Sequence, residues 1–190
     1  MTSVPRRIIG ITGPPGVGKT TYAVQVATDL GGVHLPMDGF HLADVSLDRL
    51  GLRERKGAPE TFDAWGYAAL LARLRARPAE VVYAPAFERD LEQPLAGAIA
   101  IGPSADVVVT EGNYLLLDTP EWRAVRAQVD EVWYLDQDDD LRHERLVERH
   151  VRFGKSLDQA RAWVARVDDV NAELIARTRA QADRVVDLRA

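Results

Sequence analysis

Short apolar runs alternate along this chain with stretches whose apolar residues recur at helical spacing. Arg7–Thr12 is a run of the first kind and predicts a strand, followed by a glycine-rich turn. Ala23, Val26, Ala27 and Leu30 then fall at i, i+3, i+4 and i+7, which gives a helix one apolar face. Gly31-Gly32 ends that helix, and Val33–Met37 predicts a second strand ending at Asp38. Leu42–Glu60 is polar and aperiodic, a loop with room for one short helix. Tyr67, Leu70, Leu71 and Leu74 restore the helical spacing, with Asp63 as N-cap and Pro78 as the stop. Val81–Phe87 and Ala98–Ile101 predict two short strands of a hairpin-like excursion. Val107–Thr110 and Val132–Leu135 are continuous apolar runs, as in strands buried on both faces. Leu141–Arg152 predicts a helix. Ser156 and Gln159 form a capping-box pattern before another, whose core face is Trp163, Val164, Val167 and Leu174. Arg184–Leu188 supplies the last strand. Strand and helix alternate throughout, which predicts an α/β protein with a parallel, doubly wound sheet covered by helices on both faces.

Composition narrows the chemistry. The 190 residues fit one full α/β domain, expected to span 1–190. Hydrophobic residues make up 46% and charged residues 28%, ordinary for a folded soluble protein. A net charge of −5 argues against nucleic acid as a partner. No apolar run approaches the roughly 20 residues that span a bilayer, so no membrane partner is expected, and Met1–Gly10 is too short and interrupted for a signal peptide. The absence of cysteine excludes disulfides, thiolate catalysis and Cys-based zinc sites. His34, His41, His143 and His150 do not cluster with metal-ligand spacing.

The turn after the first strand carries the strongest chemical signal. Gly13-Pro14-Pro15-Gly16-Val17-Gly18-Lys19-Thr20 matches G-x-x-x-x-G-K-S/T in full, between a predicted strand and a predicted helix. Glycines let the backbone wrap a phosphate chain with its N–H groups turned inward, and the helix N-terminus adds partial positive charge. Lys19 suits the β- and γ-phosphates, the Thr20 hydroxyl a Mg²⁺ ion, and Thr21 the α-phosphate. ATP with Mg²⁺ is the implied cofactor, and ATP chemistry implies a cytoplasmic location. The motif alone does not separate kinases from other nucleotide hydrolases or switches.

Two carboxylates stand at predicted C-terminal strand ends, where open α/β sheets place their ligands. Asp38 follows the second strand. Glu111 follows Val107–Thr110 and precedes Gly112, whose missing side chain leaves room for a ligand. A phosphoryl acceptor hydroxyl needs an acid to orient it and take its proton, and Mg²⁺ needs a second anionic contact. Asp38 fits the first role and Glu111 the second, although the two assignments can exchange. His41 follows Asp38 closely enough to line the same pocket. Arg142, Arg145, Arg149 and Arg152 are spaced 3, 4 and 3, one face of a helix. Such a face can close over transferred phosphates, and Arg145 and Arg149, inside the stripe, are the stronger candidates.

These segments resemble the uridine kinase, phosphoribulokinase and type I pantothenate kinase family of P-loop small-molecule kinases. Small bacterial nucleoside/nucleotide kinase family proteins and fructose-transport kinases are the most similar group. The resemblance covers nearly the whole chain. It is carried by Gly13–Thr21, Met37–His41, Arg55–Asp63, Val82–Pro85, Phe87–Arg89, Glu111–Tyr114, Arg145–Arg152 and Trp163–Asn171. It implies a five-stranded sheet of order 2-3-1-4-5, a helical lid over about 142–156, and transfer of a γ-phosphoryl group to a small-molecule hydroxyl. It implies Asp38 as the base and places Lys56 and Tyr83 in the acceptor pocket, with Arg89 and Asn113 as further substrate contacts. Ala84-Pro85 stands where type I pantothenate kinases carry a polar pair, and their additional regions do not fit in this length. The acceptor therefore stays open among sugar, nucleoside and pantothenate-like alcohols. A regulatory P-loop ATPase without an acceptor and a nucleoside monophosphate kinase remain as alternatives, and a monomer and a homodimer are equally compatible with the sequence.

Overall fold

The computed structural model describes residues 5–189. Five parallel strands form the main sheet: β1 (Arg7–Thr12), β2 (Val33–Pro36), β5 (Val107–Glu111), β6 (Glu131–Asp136) and β7 (Arg184–Asp187). Their order is β2-β5-β1-β6-β7, with β1 central and registered as Ile9↔Val109 and Ile11↔Trp133. Counted along the core strands alone, this is the 2-3-1-4-5 order.

Alternation along the strands builds two apolar layers. Ile8, Leu35 and Val108 face one layer, where α3 (Ala64–Arg75) contributes Tyr67, Leu71 and Leu74, and α4 (Pro120–Arg126) contributes Trp122 and Val125. Ile9, Ile11 and Val109 face the other, closed by Ala23 and Ala27 of α1 (Lys19–Asp29). Asp63 caps α3 by accepting from the Gly66 amide at 2.8 Å. No helix among the described residues is long and apolar enough to cross a membrane.

Several elements differ from the sequence reading. The polar stretch after Asp38 does hold the short helix it had room for, α2 (Asp44–Leu50), stopped by Gly51 at φ 67°. Two 3-10 turns follow, Arg53–Arg55 and Pro59–Thr61. Of the hairpin strands, β3 (Val82–Glu88) keeps its expected length one residue later, whereas β4 (Gln93–Ile101) is longer than predicted because cross-strand pairing, absent from single-strand periodicity, extends it to a tight turn. They form a separate two-stranded sheet. Helix α4 was unpredicted; its signal is the Thr119-Pro120 start, with proline in the first turn where no N–H is needed.

After α5 (Asp139–Arg152), Ser156 and Gln159 close the expected capping box at the start of α6 (Leu157–Trp163). A π turn, Val164–Asp168, then runs into α7 (Asp169–Ala176). The wider turn shifts the helical phase. Val164 is buried, whereas Trp163, expected in the core, is only half-buried, with Lys155 and Arg166 over its ring.

Candidate functional site

The site gathers at the C-terminal ends of β1, β2 and β5, where the phosphate loop, Asp38 and Glu111 emerge. Loop residues Gly13 and Gly16 have φ of 148° and 80°. A Cβ on Gly13 would stand 2.7 Å from the Leu135 carbonyl, and one on Gly16 2.7 Å from that of Arg142. Only glycine fits either place. Gly18, Lys19 and Thr20 lead into α1; Val17 is buried beneath the loop, and Thr21 is exposed on the first turn.

Lys19 is 9% exposed, and its ammonium donates to the Gly13 and Pro14 carbonyls at 2.9 and 3.0 Å. Burial pushes its pKa down to about 8, partly offset by the nearby charges of Glu111 and Asp38 and reinforced by Arg149 and Arg142. Two strand-end carboxylates and two guanidiniums of α5 thus act on one buried cation. The Thr20 hydroxyl donates to Glu111 Oε1 at 3.0 Å, and His34 Nε2 lies 3.7 Å from the same oxygen. A hydroxyl beside a buried carboxylate is a hard-oxygen donor set that suits Mg²⁺ held chiefly by a substrate's phosphates. The space expected beside Gly112 is taken by Met37, whose sulfur would lie 2.5 Å from a Cβ there.

The arginine stripe divides by depth. Arg142 is buried; its Nη1 donates to the Pro15 carbonyl at 2.7 Å, and its other nitrogens hold Asp139. It fastens α5 to the phosphate loop. Arg145 reaches the loop at Gly18, its Nη1 3.8 Å from where a Cβ would stand. Arg149 is half-buried within electrostatic reach of Lys19, while Arg152 is exposed.

Asp38 sits in a 3-10 turn, Met37–Phe40, just beyond β2. Gly39 lets this turn touch the hairpin, since a Cβ there would be 2.4 Å from the Pro85 carbonyl. Arg89, near the hairpin tip, donates to Asp38 Oδ2 at 3.3 Å. His41 Nδ1 bonds the Asp38 carbonyl oxygen at 2.9 Å, and its ring lies 4.0 Å from Phe62 and 4.8 Å from Phe87; burial lowers its pKa. Lys56 is held by Asp44 at 2.8 Å and by the Glu92 carbonyl, with Phe87 beneath it. Asn113 accepts from the Thr12 hydroxyl through its carbonyl at 3.2 Å.

Tyr83 does not join this group. It is 61% exposed opposite Ala100, four residues or about 13 Å along the strand from Phe87. Alternation alone does not tell which face of a hairpin meets the site.

A cavity of about 700 Å³ opens beside Pro14, lined among others by Tyr134, Gln137, Arg142, Ala172 and Arg179. No motif announces it, because its walls come from three distant segments.

Comparison with known proteins agrees with this geometry. The model of the Phosphoribulokinase / Uridine kinase family matches residues 8–189. The uncharacterised protein YggC of Escherichia coli K12 is 33% identical over 96% of this chain and 78% of its own length. The ATP-dependent kinase-like protein notR' of Aspergillus versicolor is 35% identical over 79% of this chain and 92% of its own. The crystal structure of a proposed fructose transport system kinase from Silicibacter sp. TM1040 superposes with a TM-score of 0.89 at 37% identity, covering 97% of this chain and 91% of that one. Phosphate loop, paired strand-end acids and whole-length match together place the chain in the phosphoribulokinase / uridine kinase family of P-loop kinases.

Proposed function

We propose that this protein transfers the γ-phosphoryl group of ATP to a hydroxyl of a small molecule, a sugar, nucleoside or pantothenate-like alcohol. The observation that carries this reading is that Asp38, Glu111 and Arg149 all act electrostatically on the buried Lys19 ammonium, which the loop carbonyls hold. It supports a strand-end carboxylate facing the outer end of a polyphosphate lying in the loop.

In this reading Gly13–Thr20 and Thr21 hold the phosphate chain, and Lys19 turns from the loop carbonyls to the β- and γ-oxygens. The cavity beside Pro14 is large enough for a nucleoside. Thr20 and Glu111 would hold Mg²⁺, which supplies charge neutralisation on the phosphates when bound. Asp38 orients the acceptor hydroxyl and takes its proton as the phosphoryl group transfers. Arg145 and Arg149 close over the transferring group as a lid and stabilise charge that grows in the transition state. His41, Lys56, Arg89 and Asn113 shape the acceptor side, and Tyr83 stands outside it. Arg53, Arg55 and Lys56, the cations an acceptor phosphate would recruit, are each already paired with an acid, which supports an alcohol over a nucleoside monophosphate.

The test is ADP release with Mg²⁺-ATP across a panel of small hydroxyl compounds, each product identified by mass. Acceptor-dependent release with a phosphorylated product is expected. ATP hydrolysis that no acceptor stimulates would favour a regulatory ATPase.

A further inference from the structure

Helix α5 carries Arg145 and Arg149 to the phosphate loop, so whatever fixes its rotation also fixes those guanidiniums. Arg142 secures the first turn. Leu146 is fully buried beside Gly16, and a second device that the functional reading does not use joins the outer turns of the helix to the segment packed on it. His143 and His150 are seven residues apart, two turns along one face. His150 Nε2 lies 2.8 Å from Asp168 Oδ2, and His143 Nε2 lies 2.7 Å from Asp169 Oδ1. The two aspartates are adjacent, at the junction of the π turn and α7. A π turn widens the helix locally and redirects the side chains that follow it. Here, two neighbouring carboxylates reach two histidines a full two turns apart.

The two contacts are unequal. The His150 and Asp168 side chains are 13% and 9% exposed, against 43% and 37% for His143 and Asp169. A buried carboxylate facing one histidine is costly unless its hydrogen bond is kept, so the inner contact has one favoured geometry. His150 directly follows Arg149 in the chain, and its ring packs 6.2 Å from Trp163.

We propose that Asp168 is a positioning residue: through His150 it sets the rotation of α5 that turns Arg145 and Arg149 toward the bound phosphates. The inference rests on the phosphotransferase reading, and its test contains a readout that does not. Backbone hydrogen exchange is followed over residues 145–152 and 13–20, with and without Mg²⁺ and a non-hydrolysable ATP analogue. In the wild type both segments are expected to slow by about fivefold or more when the analogue binds. His150→Leu and Asp168→Ala should lose that slowing over 145–152 while keeping it over 13–20. His150→Gln, which retains a donor near the Nε2 position, should recover it.

With an acceptor in hand, kcat should fall about 10- to 100-fold in the two breaking variants, with KM for ATP changed less than about threefold. A role confined to stability would lower the melting temperature and leave kcat of the folded enzyme alone. Wild-type-like slowing over 145–152 in folded His150→Leu overturns the proposal, as does no slowing there in the wild type. Failure of His150→Gln to recover it overturns the proposal too, because ring packing would then be the cause. If Asp168→Ala does not fold, the two His150 variants decide. If no acceptor stimulates ADP release from the wild type, the phosphotransferase reading fails and the exchange data still judge the contact.

Discussion

The two halves of the site are built from different materials. On the proposed phosphate side backbone dominates: a glycine loop whose shape is fixed by close carbonyl approaches at Gly13 and Gly16, a buried Lys19, and Arg142 bonded to the Pro15 carbonyl. On the acceptor side the parts are side chains on 3-10 turns and on a hairpin, joined by ion pairs such as Arg89–Asp38, Arg53–Asp44 and Arg55–Glu60. Partly exposed pairs of that kind contribute about 0–1 kcal/mol each. One side is overdetermined by packing, while the other can be re-formed by exchanging a few side chains. Under the proposed reading the rigid side takes the polyphosphate and the adaptable side takes the acceptor.

Substitutions can break this division. The largest effect is expected from Asp38→Asn, which keeps shape but removes the proposed base. Turnover should fall about 10²- to 10⁴-fold, with calorimetric nucleotide affinity within about twofold of wild type. A loss of affinity as large as the loss of turnover would make Asp38 part of the phosphate side instead. Lys19→Met should cost about 10²- to 10³-fold in turnover and weaken nucleotide binding as well.

The same substitution should stabilise the nucleotide-free protein. Burial holds the Lys19 ammonium at about 8, below its ordinary 10.5, so the unfolded chain binds that proton more tightly. Stability therefore rises with pH between those two values. Lys19→Met should remove that slope and add at most about 3 kcal/mol near pH 7 in urea titrations.

Arg89→Gln touches only the acceptor side. An acceptor KM raised up to about tenfold is expected, with KM for ATP unchanged; an equal change in both would erase the division. The smallest signal is a proton. Phosphates placed against Lys19 should draw its pKa upward, so nucleotide binding near pH 8 should take up about half a proton and almost none at pH 6.5. Calorimetry in buffers of different ionisation enthalpy measures this directly.

The same division explains what the sequence could disclose. The phosphate loop is local: eight consecutive residues carry both the motif and its strand–helix setting, so the start of α1 at Lys19 could be read from the sequence. Asp38 and Glu111 were legible because strand ends mark themselves by a change from apolar to charged residues. Arg142 was not separable from Arg145 and Arg149, because its partner is a loop carbonyl 127 residues earlier in the chain. Periodicity assigns a face without saying what that face meets. Met37 against Gly112, the exposed Tyr83 and the joining of His150 to Asp168 are long-range facts of the same kind, invisible to spacing. Helix α4 was missed because seven residues are too few for a period to declare itself.

Among the described residues the β3–β4 ribbon shares no backbone ladder with the five-stranded sheet, and it meets the Asp38 turn where Gly39 leaves space for the Pro85 carbonyl. Its base is rooted in the core through Val82, Ala84 and Ile101, while Leu91 at its tip stands in solvent. Changes in the length or sequence of that tip would disturb no strand register in the body of the protein, so under the proposed reading a new acceptor could be fitted there with the phosphate loop left as it is.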